Sequence, residues 1–355
     1  VYQLFAAISS NHPELCKAQI EYLLETLPMA QAVARNVYYL EGARYPWHAT
    51  PGLLPYLPGH TNDGSYLHEH HVNGWLAEFV RRYLQAAGWE RSQVERYYPV
   101  LREIARFFSS MLTSRGEQLE IAYVPSCGQE ESGWDENRKN IFDLLVAARW
   151  SLSAAAEAAD RIEADVAEAA RCKDQAHRIN LEVCLRSDGT YGSYEQDDGH
   201  PQKVPSQLIG VVMTSLFESR RDAFSRTFDL SRQRINIDTC SWAPGYYAIT
   251  AARLKRPEEA LRALQDAFRF SKPPWLLFVE NTYQVPGRLP YYLAAHALFV
   301  QGVNELLLQD WSGKPELFPA CPFPEAAFKL RGNDRTIEAR LRQGKIEVVK
   351  DTKAD

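Results

Sequence analysis

The stretch ESGWDEN, from Glu131 to Asn137, gathers acidic side chains around a glycine and a tryptophan. Trp134 can shield a carboxyl group from water, and neighbouring carboxylates disfavour a further negative charge, so both effects raise the pKa of that carboxyl group. A carboxylic acid with a raised pKa can donate a proton near neutral pH. The candidate donors are Glu130, Glu131, Asp135 and Glu136. The alternative is a solvated acidic loop that caps the helix predicted from Asn140.

A proton donor of this kind suits the cleavage of a glycosidic bond, which also requires a second carboxylate. One carboxyl group protonates the leaving oxygen, while the other deprotonates water or attacks the sugar. Later in the chain, Glu280 follows the apolar run Leu276–Val279. A carboxylate beside such a run lies either exposed at an edge or buried for a functional reason.

Three histidines, His68, His70 and His71, crowd around Glu69 and raise the question of a metal site. Helical metal ligands are spaced three or four residues apart, as in HExxH, and only the pair 68 and 71 has that spacing. We therefore predict no metal site and no cofactor. The chain also lacks a phosphate-binding GxxxxGK[ST] loop, a Rossmann fingerprint after a strand and a GxSxG elbow, which disfavours nucleotide and acyl-transfer chemistry.

The motif ESGWD resembles the one with which trehalases and the related processing α-glucosidases present their catalytic acid. This resemblance implies that Asp135 is the general acid. The helix that follows, from Asn140 to Leu152, resembles its counterpart in maltose and kojibiose phosphorylases. In those relatives the acid is a glutamate of a slightly different loop, so Glu131 and Glu136 are the alternative acids.

The run FVENTY, at 278–283, resembles the VEKY-like segment that bears the catalytic base in trehalases, which implies that Glu280 is the general base. The motif GARYPW, at 42–47, resembles the phosphorylase segment in which a helix leads into a loop that lines the sugar pocket. The helix start EHHVNGW resembles its counterpart in the phosphorylases, and the segment DTCSWAPGY, at 238–246, resembles the aromatic and proline-rich loop that trehalases place against the substrate. Together these resemblances imply a set of substrate-binding residues. They are Arg44, Trp47, His48, Glu69, His71, Asn73, Trp134, Trp242, Tyr246 and Tyr283. Pairing of the arginine with a neighbouring acid, and packing of the tryptophans in the core, are the alternatives.

Length and composition are those of an ordinary globular protein, with 355 residues of which 45% are hydrophobic and 24% charged. The net charge of -5, with acidic and basic residues interleaved, offers no broad basic surface to nucleic acid or membrane lipid, and a carbohydrate partner fits better. Apolar runs are shorter than the roughly 20 residues that span a bilayer, and we recognise no signal peptide. We therefore expect a soluble protein, with cytoplasmic, periplasmic and secreted locations all open.

Helical periodicity dominates the chain, and the helices come in neighbouring pairs. The pattern predicts an all-α fold, and helix pairs arranged in a ring form an α/α toroid. The resemblance implies that this is an (α/α)6 toroid of helical hairpins over residues 1–325, followed by a tail over 326–355 for which a short strand packing elsewhere is one option. Helices are predicted at His12–Tyr39, Tyr66–Ala87, Arg91–Ser114, Asn140–Ala159, Ile162–Cys184, Ser206–Phe217, Ala243–Leu254, Pro257–Phe270 and Pro290–Gln309. Strand signals are confined to Leu119–Val124 and Ile346–Val349.

The chain departs from the resembled phosphorylases at its N-terminal side. Those relatives usually carry a β-sandwich and a first barrel helix pair, whereas this sequence begins close to what resembles the second barrel helix. We therefore expect a barrel that is N-terminally incomplete within this chain. A missing N-terminal segment or β-sandwich domain, a partner chain that closes the ring, and a loss of catalysis are the explanations left open.

The predicted function is a glycoside hydrolase that works by inversion on an oligosaccharide or glycan, α-glucoside-like by resemblance. Asp135 would protonate the leaving oxygen and Glu280 would deprotonate water, with the carboxyl groups roughly 6.5–9.5 Å apart. A disaccharide phosphorylase would replace the base by phosphate. A sugar epimerase or polysaccharide lyase would use His70, His71 or His296. A carbohydrate-binding toroid without catalysis is the alternative from a different class.

Overall fold

A computed structural model describes residues 1–47, 68–122, 124, 128, 137–199, 202–283 and 291–353. These residues contain twelve α-helices and nine β-strands, most of the strands short, which confirms the predicted all-α class with minor β structure. They form two compact units. The terminal unit comprises Val1–Cys16, Gln85–Gly88 and Pro201–Asp355, and the central unit comprises Lys17–Leu84 and Trp89–His200.

Helices carry most of the fold, and short strands connect or follow them. The helices are α1 (Tyr2–Ser9), α2 (Lys17–Glu25), α3 (Leu27–Val37), α4 (His71–Ala86), α5 (Arg91–Met111), α6 (Phe142–Ile162), α7 (Val166–Arg178), α8 (Ile209–Val212), α9 (Arg221–Arg234), α10 (Trp242–Arg253), α11 (Pro257–Ala267) and α12 (Leu293–Leu307). The strands are β1 (Leu112–Arg115), β2 (Gln118–Ile121), β3 (Ser271–Lys272), β4 (Leu277–Phe278), β5 (Leu308–Gln309), β6 (Glu316–Leu317), β7 (Glu325–Gly332), β8 (Arg335–Arg342) and β9 (Lys345–Lys353).

The central unit is built around α6, which is buried along most of its length because alanines fill the face between its larger side chains. Small residues let α4 and α6 approach closely. A Cβ atom on Gly74 would lie only 2.4 Å from the Cβ of Ala147. Further along the same two helices, the buried carboxylate of Glu78 accepts the indole N–H of Trp150. These contacts fix how α4 lies along α6, and thereby the relative positions of side chains at the ends of the two helices.

The terminal unit packs α10, α11 and α12 around a core in which alanines again predominate. Its first helix lies against its last, because Gln301 of α12 donates to the carbonyl of Tyr2 at 3.0 Å and Asn304 donates to Ser9 at 2.9 Å. Strands β7, β8 and β9 form an antiparallel sheet in that order, with Phe328 among its buried side chains. All residues of β9 are exposed.

Several predicted boundaries were wrong. The single helix predicted over His12–Tyr39 is divided into a 3-10 turn at Pro13–Cys16, then α2 and α3. Pro28 occupies the first turn of α3, where it is tolerated, whereas inside one continuous helix it would remove a hydrogen bond and clash with the preceding turn. The strand predicted at Ile346–Val349 belongs to β9, within a larger sheet than the sequence indicated. The domain boundary predicted at residue 325 stays a prediction.

Candidate active site

The GARYPW segment is fixed by backbone contacts within the central unit. The Ala43 N–H donates to the Glu103 carbonyl of α5 at 2.8 Å. Asn73, fully buried near the start of α4, accepts from the Tyr45 N–H at 3.0 Å and donates to the Ala43 carbonyl at 2.9 Å. The amide of Asn73 therefore positions this segment. Its predicted sugar contact stays a prediction.

Arg44 is fully buried, and its guanidinium is held by a histidine and a backbone carbonyl. Its Nε donates to His70 Nδ1 at 3.0 Å and its Nη2 donates to the Glu69 carbonyl at 3.0 Å. Because His70 Nδ1 accepts this hydrogen bond, the ring proton of the neutral imidazole lies on Nε2. Burial, and then the charge of Arg44, hold the pKa of His70 well below its usual 6.5.

The buried imidazole predicts a loss of stability in mild acid. Below about pH 6.5 the unfolded chain protonates His70 while the folded protein does not, so the free energy of unfolding falls as the pH falls, by at most about 1.4 kcal/mol per pH unit for one group. His68 acts in the same direction, since burial and Arg44 lower its pKa too. In His70→Asn, the amide oxygen can still accept from Arg44. The free energy of unfolding is measured by urea unfolding between pH 5 and 8. Below pH 6.5 it should fall less steeply with falling pH in this variant than in the wild type, and an unchanged pH dependence would contradict the assignment.

Glu69, His71 and Asp143 form a cluster of side chains that are at most 1% exposed. His71 Nδ1 lies 3.0 Å from Glu69 Oε2 and 3.9 Å from Asp143 Oδ2. The half-buried ring of Trp47 meets the His71 ring edge-on, with centroids 5.7 Å apart. Of the predicted sugar-binding residues, Glu69 and His71 are thus buried, whereas Trp47, which contacts His71, has the more accessible side chain.

The acidic motif apart from Asn137 lies outside the described residues, as do the four predicted site residues it contains and His48. These four are Glu131, Trp134, Asp135 and Glu136. The described residues that flank the motif are held in place. Val124 and Arg138 exchange two backbone hydrogen bonds of 2.9 Å each, and the guanidinium carbon of Arg138 lies 4.5 Å from the centroid of the Tyr194 ring. An antiparallel bridge therefore joins Val124 and Arg138, the described residues on either side of the predicted acid.

The predicted base, Glu280, belongs to the terminal unit. Its carbonyl accepts from the Ser241 N–H at 2.7 Å, next to the start of α10. Its side chain is 29% exposed, and Oε1 lies 3.9 Å from the ammonium of Lys203. The backbone is fixed while the carboxylate remains accessible, an arrangement that suits a group which must meet water.

The aromatic residues predicted near this carboxylate differ in exposure. Trp242 is buried and donates from its indole to the Tyr292 hydroxyl at 2.6 Å, and Tyr246 is fully buried with its hydroxyl against that of Tyr2. Tyr283 is 71% exposed. Tyr283 is therefore accessible to a ligand, whereas the other two pack in the core of their unit. Their predicted substrate contacts stay predictions.

The described parts of the chain contain no group of three or more histidine, cysteine or carboxylate side chains placed to hold a metal ion. Within the same ranges, none of the helices combines the length and the apolar character needed to cross a bilayer. Sequence reasoning missed Asp143 and Lys203 as neighbours of the predicted site. The position of Asp143 in the first turn of a predicted helix was the only sequence signal for either.

Comparison with known proteins places the chain in a family. Residues 4–208 match the model of the glycosyl hydrolase family 65 central catalytic domain. Since this match covers more than half of the chain, the protein belongs to glycosyl hydrolase family 65. The membership confirms the resemblance to glycoside hydrolases and phosphorylases of the six-hairpin superfamily that the sequence motifs indicated.

Individual relatives agree with this assignment. The chain is 23% identical over 318 residues to a kojibiose hydrolase of Mucilaginibacter mallensis, covering 87% of this chain and 44% of that protein. It is 29% identical over 138 residues to a kojibiose hydrolase of Flavobacterium johnsoniae, covering 39% and 19% of the two chains. The chain thus spans less than half the length of these curated relatives.

A solved structure shares the fold. The protein named "Putative kojibiose phosphorylase from human microbiome" has a TM-score of 0.66 and 12% identity, covering 94% of this chain and 53% of that one. At this identity the likeness concerns the fold alone, and it confirms the predicted (α/α)6 class.

Proposed function

We propose that this protein hydrolyses the glycosidic bond of an α-glucoside disaccharide, with kojibiose as the first substrate to test. Family membership supports glycosidic chemistry, and two relatives are kojibiose hydrolases, one of them aligned over 87% of this chain. The structural observation that carries hydrolysis is Glu280, an accessible carboxylate on a fixed backbone. A hydrolase needs such a base, whereas phosphate would replace it in a phosphorylase.

The proposed mechanism inverts the anomeric configuration. Asp135 protonates the leaving oxygen, with Glu131 and Glu136 as the alternative acids, and Glu280 removes a proton from the attacking water. Arg44 and Asn73 act indirectly, because their hydrogen bonds position the GARYPW segment. Trp47 and Tyr283 have accessible aromatic rings that can contact the sugar. No step of this mechanism requires a cofactor.

Product analysis tests the proposal directly. The purified protein is incubated with kojibiose and with isomeric glucobioses, each with and without inorganic phosphate, and the products are followed by proton magnetic resonance. The expected result is phosphate-independent release of glucose whose first-formed anomer is β. Formation of glucose 1-phosphate that depends on phosphate would instead identify a phosphorylase. Saturable sugar binding without any product would identify a carbohydrate-binding protein.

A further inference from the structure

The strongest unassigned feature is the carboxylate of Asp143, which the proposed mechanism does not use. It is 1% exposed and lies in the first turn of α6. There the helix dipole favours negative charge, but the burial of a carboxylate still requires polar contacts. His71, the first residue of α4, supplies one such contact at 3.9 Å and in turn meets Glu69 at 3.0 Å. Two carboxylates and a histidine therefore share a buried site at adjoining ends of two helices.

The geometry of this cluster is fixed by the helices that carry it. The close approach of Gly74 to Ala147 lies one turn beyond His71 on α4 and one turn beyond Asp143 on α6. The backbone positions of His71 and Asp143 therefore cannot move apart unless this tight contact opens.

The third side of the cluster is the backbone of Gly128. A Cβ atom on this glycine would lie 2.2 Å from Oδ1 and 2.5 Å from Oδ2 of Asp143. The carboxylate therefore occupies the space that a side chain at residue 128 would need. Gly128 is buried and has a φ of +68°. It precedes the first alternative acid, Glu131, by three residues and Asp135 by seven.

We propose that Asp143 is a positioning residue. Its carboxylate fixes the backbone of Gly128 against α6, and Gly128 begins the segment that carries the general acid. His71 lies 3.9 Å from the carboxylate of Asp143 and is itself held by Glu69 at 3.0 Å. The proposal rests on the proposed function, since it assigns a role in placing the general acid. It also explains why position 128 is a glycine, because any larger residue would collide with the carboxylate.

The experiment compares Asp143→Asn with Glu78→Gln. Glu78 is an equally buried carboxylate that joins the same two helices about two turns away, so the control variant also removes a buried charge between α4 and α6. Two substrates are used: kojibiose, whose leaving group needs the general acid, and α-glucosyl fluoride, whose leaving group does not. For Asp143→Asn we expect kcat on kojibiose to fall about 10- to 100-fold while KM and turnover of the fluoride change little. For Glu78→Gln we expect reduced stability and an unchanged ratio of the two activities.

A second readout does not depend on activity. Hydrogen exchange of the peptide that contains Gly128 should be faster in Asp143→Asn than in the wild type, and unchanged in Glu78→Gln. Gly128→Ala, which displaces the carboxylate from the other side, should reproduce both effects if Asp143→Asn fails to fold. Unchanged exchange at Gly128, or an equal fall on both substrates, would overturn the positioning role. A wild-type protein that leaves kojibiose and the fluoride intact would overturn the proposed function instead.

Discussion

Glu280→Gln is expected to lower kcat on an α-glucoside by about 1,000-fold, within the range that general acid–base catalysis contributes, and to leave the fold intact. The side chain is 29% exposed and the ammonium of Lys203 lies 3.9 Å away, so the isosteric amide replaces a partly exposed carboxylate rather than a fully buried one. The amide cannot accept a proton from water. Azide needs no deprotonation, and it should therefore restore turnover of α-glucosyl fluoride and yield β-glucosyl azide. The measurement is steady-state kinetics with and without azide, together with product analysis.

The matched control for this prediction is Glu305→Gln. Glu305 is a carboxylate of the same unit that is mostly buried and paired with Arg253, so its loss should reduce stability and leave kcat unchanged. An active Glu280→Gln protein, or one that azide does not rescue, would remove Glu280 from the mechanism.

Kojibiose and α-glucosyl fluoride together also identify the general acid. Of the three variants Glu131→Gln, Asp135→Asn and Glu136→Gln, only the one that removes the acid should lose kojibiose hydrolysis and keep turnover of the fluoride. We expect this pattern for Asp135→Asn. The same pattern for either glutamate would transfer the role to that residue.

The helices with the strongest periodicity were predicted well. Helices α6, α10 and α12 lie within a few residues of their expected positions, because each has apolar residues at helical spacing over several turns. Helix α9 was missed, since its sequence RDAFSRTFDLSRQR has few apolar residues and buries only a narrow stripe around Phe224 and Phe228. A charged helix of this kind is stabilised by tertiary packing that periodicity alone does not indicate.

The sheet at the end of the chain was largely missed for a different reason. Strands β7 and β8 alternate charged residues on one face with apolar residues on the other, a period-two pattern that was overlooked because the high content of charged residues resembles that of a polar tail. The two turns did carry local signals, namely Asn333 and Gly344, which have positive φ angles of 41° and 74°. These two turn residues, at the ends of β7 and β8, would together have indicated three antiparallel strands joined by tight turns.

For the site, local motifs indicated candidate residues but not which of them come together. The motif GARYPW did not show that Asn73 holds its backbone, and no local pattern joined Asp143 to Gly128. Such contacts connect residues that are far apart in sequence or divided by an irregular segment, so they follow from helix packing rather than from periodicity.

Gly42→Ala is expected to be strongly destabilising, costing about 2–5 kcal/mol in the free energy of unfolding. Gly42 has a φ of +79°, which costs a residue with a side chain roughly 1 kcal/mol or somewhat more. Its Cβ atom would also lie 2.2 Å from the carbonyl oxygen of Glu103 and 2.3 Å from the backbone nitrogen of Phe107. These atoms belong to the backbone of α5 and cannot turn aside, so overpacking adds about 1–3 kcal/mol or more.

The glycine at position 116 separates the two causes of this cost. Gly116 also has a positive φ, +64°, but a Cβ atom there would meet nothing within 4 Å, so Gly116→Ala should cost only the conformational term of about 1–2 kcal/mol. Urea unfolding of both variants gives the difference. We expect Gly42→Ala to reduce kojibiose hydrolysis as well, because the carbonyl that it would strike also accepts the Ala43 N–H at 2.8 Å and so holds the segment that carries Arg44 and Trp47. An equal loss in the free energy of unfolding for the two variants would show that the backbone of α5 moves to accommodate the added methyl group. The GARYPW segment would then be less tightly packed against α5 than its contacts imply.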